Sequence, residues 1–188
     1  MVDIGLYPTE VAREMTTRIR NACDADIQSL VDLYNRYILE TSITFDLSPY
    51  TVEQRRESWF EHYGETGRYR LIVAECDSES SSVENSQVVG YASSSKFATK
   101  AAYDTSVETS IYVAAEFVNA GIGNQLYSAL FKVLEMEDVH RAYAGVTLPN
   151  EASMAIHRKF GFKQVGVFQE VGRKFNRYWD VAWLEKSL

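Results

Sequence analysis

Residues 108–137 read ETSIYVAAEFVNAGIGNQLYSALFKVLEME, and this stretch decides the fold. Glu108–Val113 reads as a strand that runs into a glycine-containing loop. The loop through Val118, Asn119, Ala120, Gly121, Ile122, Gly123 and Asn124 then opens a helix from about Gly121. Its apolar positions Ile122, Leu126, Leu130, Val133 and Met136 fall on one face. Gly121 and Gly123 let a backbone approach a ligand, and the first N–H groups of a helix have no internal partners. Such a terminus suits phosphate oxygens through hydrogen bonds and the dipole. A plain strand-to-helix turn reads equally well from these residues alone. A Walker loop would need Gly-Lys-Ser/Thr, and a dinucleotide fingerprint a third glycine; neither is present.

Working outward, Arg141–Leu148 reads as the strand that completes a strand–helix–strand crossover. Asn150–Phe160 follows as a short helix, closed by Gly161 in the left-handed stop position. Lys163–Glu170 and Asn176–Leu184 read as the last two strands. Upstream, Thr17–Cys23 alternates like a strand. Asp24 is the expected N-cap of a helix carrying Ile27, Leu30, Val31, Leu33, Tyr34, Tyr37 and Ile38. Pro49 and Thr51 introduce a second helix over roughly Val52–Tyr63. Tyr69–Cys76 and Val88–Ser95 read as paired strands, joined by the serine-rich residues 77–87 as a long polar hairpin loop. Residues 1–16 form an extension, and 17–188 one mixed α/β domain.

The chain of 188 residues has 46% hydrophobic and 24% charged side chains, an ordinary balance for one domain with a full core. A formal charge of −7 without a basic cluster argues against nucleic acid or an anionic membrane as partner. No run approaches the roughly 20 apolar residues of a span, and the first 15 residues resemble neither a signal nor a transit peptide. Cys23 and Cys76 are too few for a disulfide framework and lack the clustered histidines of a zinc site. They are expected as buried reduced thiols in a cytoplasmic protein, with no metal.

The order and spacing of several segments carry a resemblance. These are Ala102-Tyr103-Asp104 with Glu108–Val113, the Gly121-x-Gly123 loop with Leu126-Tyr127, Leu148-Pro149-Asn150 with Ser153 and His157, and Gly161-Phe162. Together they resemble the GNAT superfamily of N-acetyltransferases, within it the phosphinothricin acetyltransferase-like branch. The resemblance covers nearly everything except the N-terminal extension and the serine-rich insert. It implies a single α/β (α+β) domain. Its sheet would be mixed, mostly antiparallel and of about seven strands, flanked by helices and splayed at the central parallel pair. It also implies a homodimer and transfer of acetyl from acetyl-CoA to the primary amine of a small molecule, an amino acid or analogue. A non-catalytic acyl-CoA-binding regulator and a protein or peptide N-acetyltransferase are the alternatives.

On that resemblance, Ile111, Tyr112 and Val113 pair with the pantetheine arm. The Val113 N–H polarises the thioester carbonyl, and Asn119, Ala120, Gly121, Ile122, Gly123 and Asn124 cradle the pyrophosphate. Asn150 bonds the pantetheine or a nearby backbone group. Glu108 is the candidate general base and His157 the group that protonates the leaving sulfur or orients substrate. Phe45, Lys100 and Tyr103 contact the acceptor, while His62 and His140 are incidental. Two departures stand out. Val118 occupies the place of a Gln or Arg, with no Lys or Arg between Val113 and Phe131 to compensate and Glu116 adding repulsion. Ala98 and Asp46 replace basic residues of the herbicide-resistance enzymes, which questions phosphinothricin itself as acceptor.

Overall fold

The computed structural model describes residues 17–77 and 86–188. The 1–16 extension and the middle of the 77–87 loop lie outside the described residues. The strands are β1 (Thr17–Asn21), β2 (Arg70–Asp77), β3 (Ser86–Lys96), β4 (Ser106–Val113), β5 (Arg141–Thr147), β6 (Lys163–Lys174) and β7 (Arg177–Ser187). The helices are α1 (Ile27–Glu40), α2 (Val52–Ser58), α3 (Ile122–Leu134) and α4 (Glu151–Lys159). The strands form one sheet in the order β1-β2-β3-β4-β5-β7-β6, antiparallel everywhere except between β4 and β5. This is the expected seven-stranded mixed sheet with a central parallel pair.

Two cores lie on opposite faces of the sheet. Leu30, Leu33, Tyr34 and Ile38 of α1 pack on Leu71, Val73 and Tyr91. On the other face α3 packs Ile122, Leu126, Tyr127, Leu130, Phe131 and Leu134 against Ile72, Ala74, Ala92 and Val107. The buried stripe of α3 therefore runs through Tyr127, Phe131 and Leu134. The stripe expected through Val133 and Met136 is shifted: α3 ends at Leu134, and Met136, past it, is 86% exposed.

Three local expectations are corrected by competing partners. Asp24 does not cap α1. It starts a 3-10 turn, Asp24–Asp26, whose entry is set by Asp26 accepting from the Cys23 amide at 2.7 Å. Asp26 also takes a two-pronged bond from Arg20 (2.7 and 2.8 Å), and Arg20 reaches Glu75 on β2, so the turn is tied to the sheet. The second helix stops at Ser58 because Trp59 leaves helical dihedrals to pack its ring edge-on to Tyr91. Only a 3-10 turn, Phe60–His62, follows. Both cysteines are free, as expected, but Cys23 is exposed because it sits at that turn; only Cys76 is buried.

Burial opposes ionisation of Asp26, but the bonds from Arg20 and the Cys23 amide outweigh it and hold the carboxyl below its ordinary 3.8. A depressed carboxyl contributes stability that is full above 3.8 and is lost as pH falls through the lower folded value. Asp26→Ala leaves Arg20 with Glu75 as its remaining carboxylate and the Cys23 amide without its acceptor, and should cost about 2 kcal/mol. Melting curves across pH 2–7 check this: the penalty should be largest near neutrality and shrink in acid.

Candidate active site

The parallel pairing of β4 with β5 lasts for three residue pairs, ending at Glu108↔Tyr143. Beyond it the strands diverge, and Thr109 Oγ1 donates across the start of the gap to the Tyr143 carbonyl at 3.2 Å. On its other side β4 stays paired to β3 as far as Gly90↔Val113, and the Ala114 amide bonds Val89 O at 2.8 Å. Antiparallel alternation then turns the Ser110, Tyr112 and Ala114 amides toward β3, and those of Ile111 and Val113 toward the gap. Tyr37 donates its hydroxyl to the Val113 carbonyl at 2.6 Å, fixing that peptide.

At the mouth of the gap the chain makes a 3-10 turn, Ala115–Phe117, and reaches α3 through Asn119 (φ 69°) and Gly121 (φ 80°). No side chain caps α3, and among the described residues the Gly121, Ile122 and Gly123 amides have no hydrogen-bond partner in the protein. The two glycines differ in purpose. Gly121 needs its left-handed φ and has open space around it. A side chain at Gly123 would press on Ile156 of α4, its Cβ 2.9 Å from Ile156 Cδ1, so Gly123 serves helix packing. The Ala120 amide, by contrast, is spent on Phe117 O.

These groups border a 430 Å³ cleft running from Ile111 and Val113 past Gly121 to Asn124, with Asn150, Ser153, Ile156 and Lys159 of α4 as the facing wall. A smaller recess inside the splay is lined by Ser110, Tyr112, Gly145, Thr147 and His157, and Ile43 and Asn150 border both spaces. Asn124 Oδ1 is buried without a partner among the described residues, while Asn150 Oδ1 caps α4 by accepting from the Ser153 amide at 3.1 Å. A more open surface hollow of 710 Å³ lies at Asp46–Tyr50 and α2, and no β4 or β5 residue lines it.

The pieces suit a phosphorylated, extended thioester. Free strand amides match the pantetheine amides, a bare helix terminus matches a pyrophosphate, and the cleft is long and apolar between them. Lys159 lines the same cleft, a cation that reading the loop alone misses because it arrives from another helix. Glu116 is paired with Arg36 at 3.1 Å, so its repulsion is offset.

Glu108 stands on the opposite face of β4 from Thr109, at the closed end of the gap, beside Tyr143 in register. Its carboxylate has no hydrogen-bond or ion-pair partner among the described residues, and burial pushes it above 4.5. Phe97 stacks on Tyr143 at 4.2 Å and meets Trp183 and Tyr103 edge-on, giving that face an aromatic wall. Lys100 and Tyr103 sit together on the exposed β3–β4 connection. Phe45, on the segment after α1, packs on Gly172 of β6 and lines neither the cleft nor the recess.

His157 is 3% exposed and engaged at both nitrogens. Nδ1 is 2.7 Å from Ser153 O, which can only accept, so Nδ1 carries the proton; neutral Nε2 then accepts from Tyr127 OH at 2.9 Å. Burial lowers its pKa and keeps it neutral. His157 thus ties α4 to α3 through Tyr127. His62, at the end of the short turn after α2, and His140, exposed before β5, line neither cleft nor recess.

Residues 19–183 match the sequence profile of the acetyltransferase (GNAT) domain. The chain is 50% identical over 171 residues to a phosphinothricin N-acetyltransferase of Streptomyces coelicolor, spanning 91% of this chain and 96% of that one. It is 29% identical over 174 residues to an L-methionine sulfoximine/L-methionine sulfone acetyltransferase of Pseudomonas aeruginosa (93% and 96%). Among solved structures it superposes with a TM-score of 0.81 on a Sinorhizobium meliloti GNAT superfamily phosphinothricin acetyltransferase in complex with acetyl-CoA, at 28% identity over 93% and 89% of the two chains. With the splayed β4–β5 pair and the bare α3 terminus already in place, these matches make the chain a member of the GNAT acetyltransferase family.

Proposed function

We propose that this N-acetyltransferase transfers acetyl from acetyl-CoA to the α-amine of a small amino-acid analogue of the methionine sulfoximine or phosphinothricin kind. The observation that carries the proposal is the pairing, across one strand, of gap-facing amides at Ile111 and Val113 with the unpartnered, desolvated Glu108 carboxyl. The names of the relatives supply the acceptor class.

In this reading the α3 terminus, through the Gly121, Ile122 and Gly123 amides, and Lys159 hold the pyrophosphate. The Asn119–Asn124 loop shapes that seat, and Ala120 contributes shape alone. Ile111, Tyr112 and Asn150 align the pantetheine arm. The Val113 N–H points at the thioester oxygen and stabilises the charge that develops there. The acceptor arrives from the Glu108 face, between Phe45 and the aromatic wall, with Lys100 and Tyr103 meeting its carboxylate. An amine is mostly ammonium at neutral pH, so a proton must leave first. Glu108 takes it, and its raised pKa makes it a stronger base than a solvated carboxylate. The nitrogen then bonds to the acetyl carbon, the C–S electron pair leaves on sulfur, and the second proton that the nitrogen sheds goes to that thiolate. His157 acts by fixing Tyr127 and the α4 wall, since its one ring proton is spent on Ser153 O. Most of the acceleration comes from holding two reactants in line.

The chain is further proposed to work in the cytoplasm as a homodimer. Supporting the dimer, β6 is an edge strand with Val165, Phe168 and Val171 more than half exposed, and Phe175 and Tyr178 at its turn likewise. No helix among the described residues is long and apolar enough to cross a membrane.

Three measurements test this. Thiol release from acetyl-CoA should be stimulated by methionine sulfoximine or phosphinothricin over polyamines and peptides. Cofactor binding without thiol release from any amine would instead fit a regulator, and a preference for peptides would fit a protein acetyltransferase. Glu108→Gln should lower turnover on the order of 10²–10⁴-fold while acetyl-CoA affinity holds. Because folding raises the Glu108 pKa, ionising it costs stability above the folded value and costs none below 4.5. The Gln variant should therefore melt higher than wild type at pH 7, with the gain vanishing in acid. Gly121→Ala, forced to φ 80°, should weaken acetyl-CoA about tenfold by turning the amides away while sparing the acceptor KM.

A further inference from the structure

Residues 41–50, between α1 and α2, form a strap across the site. Thr44 is buried, and its hydroxyl and the Asp46 carboxylate both meet Tyr34 OH of α1 at 2.7 Å. On the far side of the site, Lys174 of β6 donates Nζ to the Thr44 carbonyl at 2.8 Å, across 130 residues of sequence. Lys174 is only 4% exposed. Phe45 packs its ring on Gly172, closely enough that a methyl group at that position would overlap three ring atoms. Ile43, one turn of the strap earlier, borders both the cofactor cleft and the recess inside the splay.

Strand β6 is irregular where it receives the strap. Its pairing with β7 jumps from Phe168↔Val181 to Gly172↔Trp179, placing four residue steps of β6 against two of β7. Glu170, in that bulge, has φ 51°, and its amide is pinned by Asp180 Oδ1 at 2.7 Å. From Lys163 to Val171 every residue of β6 except Gly166 is exposed, yet after the bulge Gly172 is half-buried and Lys174 buried. A bulge beside an active site turns side chains that a regular strand would leave in solvent. Glycine is also unexpected in a strand interior, where it costs roughly 0.5–1 kcal/mol against alanine. The space it leaves is filled by Phe45.

We infer that Gly172 is a specificity-determining residue that acts through Phe45: the β6 bulge aims Gly172 and Lys174 at the strap, and this seat sets the outer wall of the acceptor chamber. The inference rests on the proposed acetyl transfer and adds the elements that decide which acceptor fits. Gly172 touches neither substrate nor cofactor, so it is a positioning residue. The wall is built from a loop and an edge strand joined by this packing and by the Lys174–Thr44 bond, so acceptor size is governed at the Phe45–Gly172 interface. The cofactor cleft takes only Ile43 from the strap and should feel changes there much less.

The test compares Gly172→Ala, Phe45→Ala and the double variant with wild type, using methionine sulfoximine and bulkier amino-acid amines as acceptors. Hydrogen exchange of residues 41–47 is followed in parallel. Displacing the ring should raise the acceptor KM about tenfold, with kcat and the acetyl-CoA KM changed by less than about threefold, and should favour the bulkier amines. Strap amides should exchange faster in Gly172→Ala. In the Phe45→Ala background, where no ring remains to displace, the glycine change should add nothing. Unaltered strap exchange in Gly172→Ala, an equal loss toward both substrates, or an undiminished effect in the double variant would each overturn the inference. If Gly172→Ala does not fold, Phe45→Ala decides alone: an unchanged acceptor profile overturns the wall. Wild-type protein that turns over no amine would sink the transferase reading instead, and strap exchange would still judge the seat.

Discussion

The site depends on one feature: β4 leaves its ladder with β5 after Glu108, while β5 goes on pairing with β7 and β4 with β3. β5 keeps seven residue pairs with β7 and only three with β4. Where the parallel ladder lapses, the β4 amides at Ile111 and Val113 face a gap. Leaving such a donor buried and unmade costs about 1–3 kcal/mol, so the gap has to admit water or an extended ligand. A second edge strand inside the sheet is thereby created, able to recognise a backbone-like amide chain without any specific side chain.

Holding that gap open takes cross-links on both sides. On the α3 face, the buried Tyr127–His157 bond ties the helix after β4 to the helix after β5, and the Phe131 and Phe162 rings pack around the pair. On the other face, Tyr37 donates to the Val113 carbonyl, which fixes that peptide at the rim of the gap. Both bonds lie in apolar surroundings, where a hydrogen bond is strong and its loss expensive. His157 is thus of most use when neutral and doubly bonded.

Much of the fold was legible in the sequence because it rests on periodicity. The β4–loop–α3–β5 unit, the α4 stop at Gly161 and the paired β2 and β3 all follow from alternation, apolar stripes and glycine placement. Element edges were less legible where a distant partner decided them. Arg20 recruits Asp26, so the turn before α1 begins earlier than a local N-cap rule gives, and Trp59 leaves α2 to reach Tyr91. In the site, Glu108, Val113 and the Gly121 region were readable as one contiguous stretch. Lys159, Gly145 and Tyr37 were not, since each is an ordinary helix or strand position until the sheet brings it to the gap. Gly172 and Lys174 were hidden further, because the bulge that turns them inward breaks the alternation by which strands are read.

Cofactor recognition and net charge are reconciled by the same geometry. A chain of formal charge −7 that binds a polyanion must confine favourable potential to one place. In the proposed site three free amides at the α3 terminus would do so, because oriented N–H groups act at contact range and carry no net charge. Lys159 adds a single cation facing them across the cleft, and Arg36 offsets Glu116 at its rim. The valine at 118, nearly half exposed, then needs no replacement by a phosphate-binding side chain. Affinity built this way depends on the backbone angle at Gly121 more than on ionic strength.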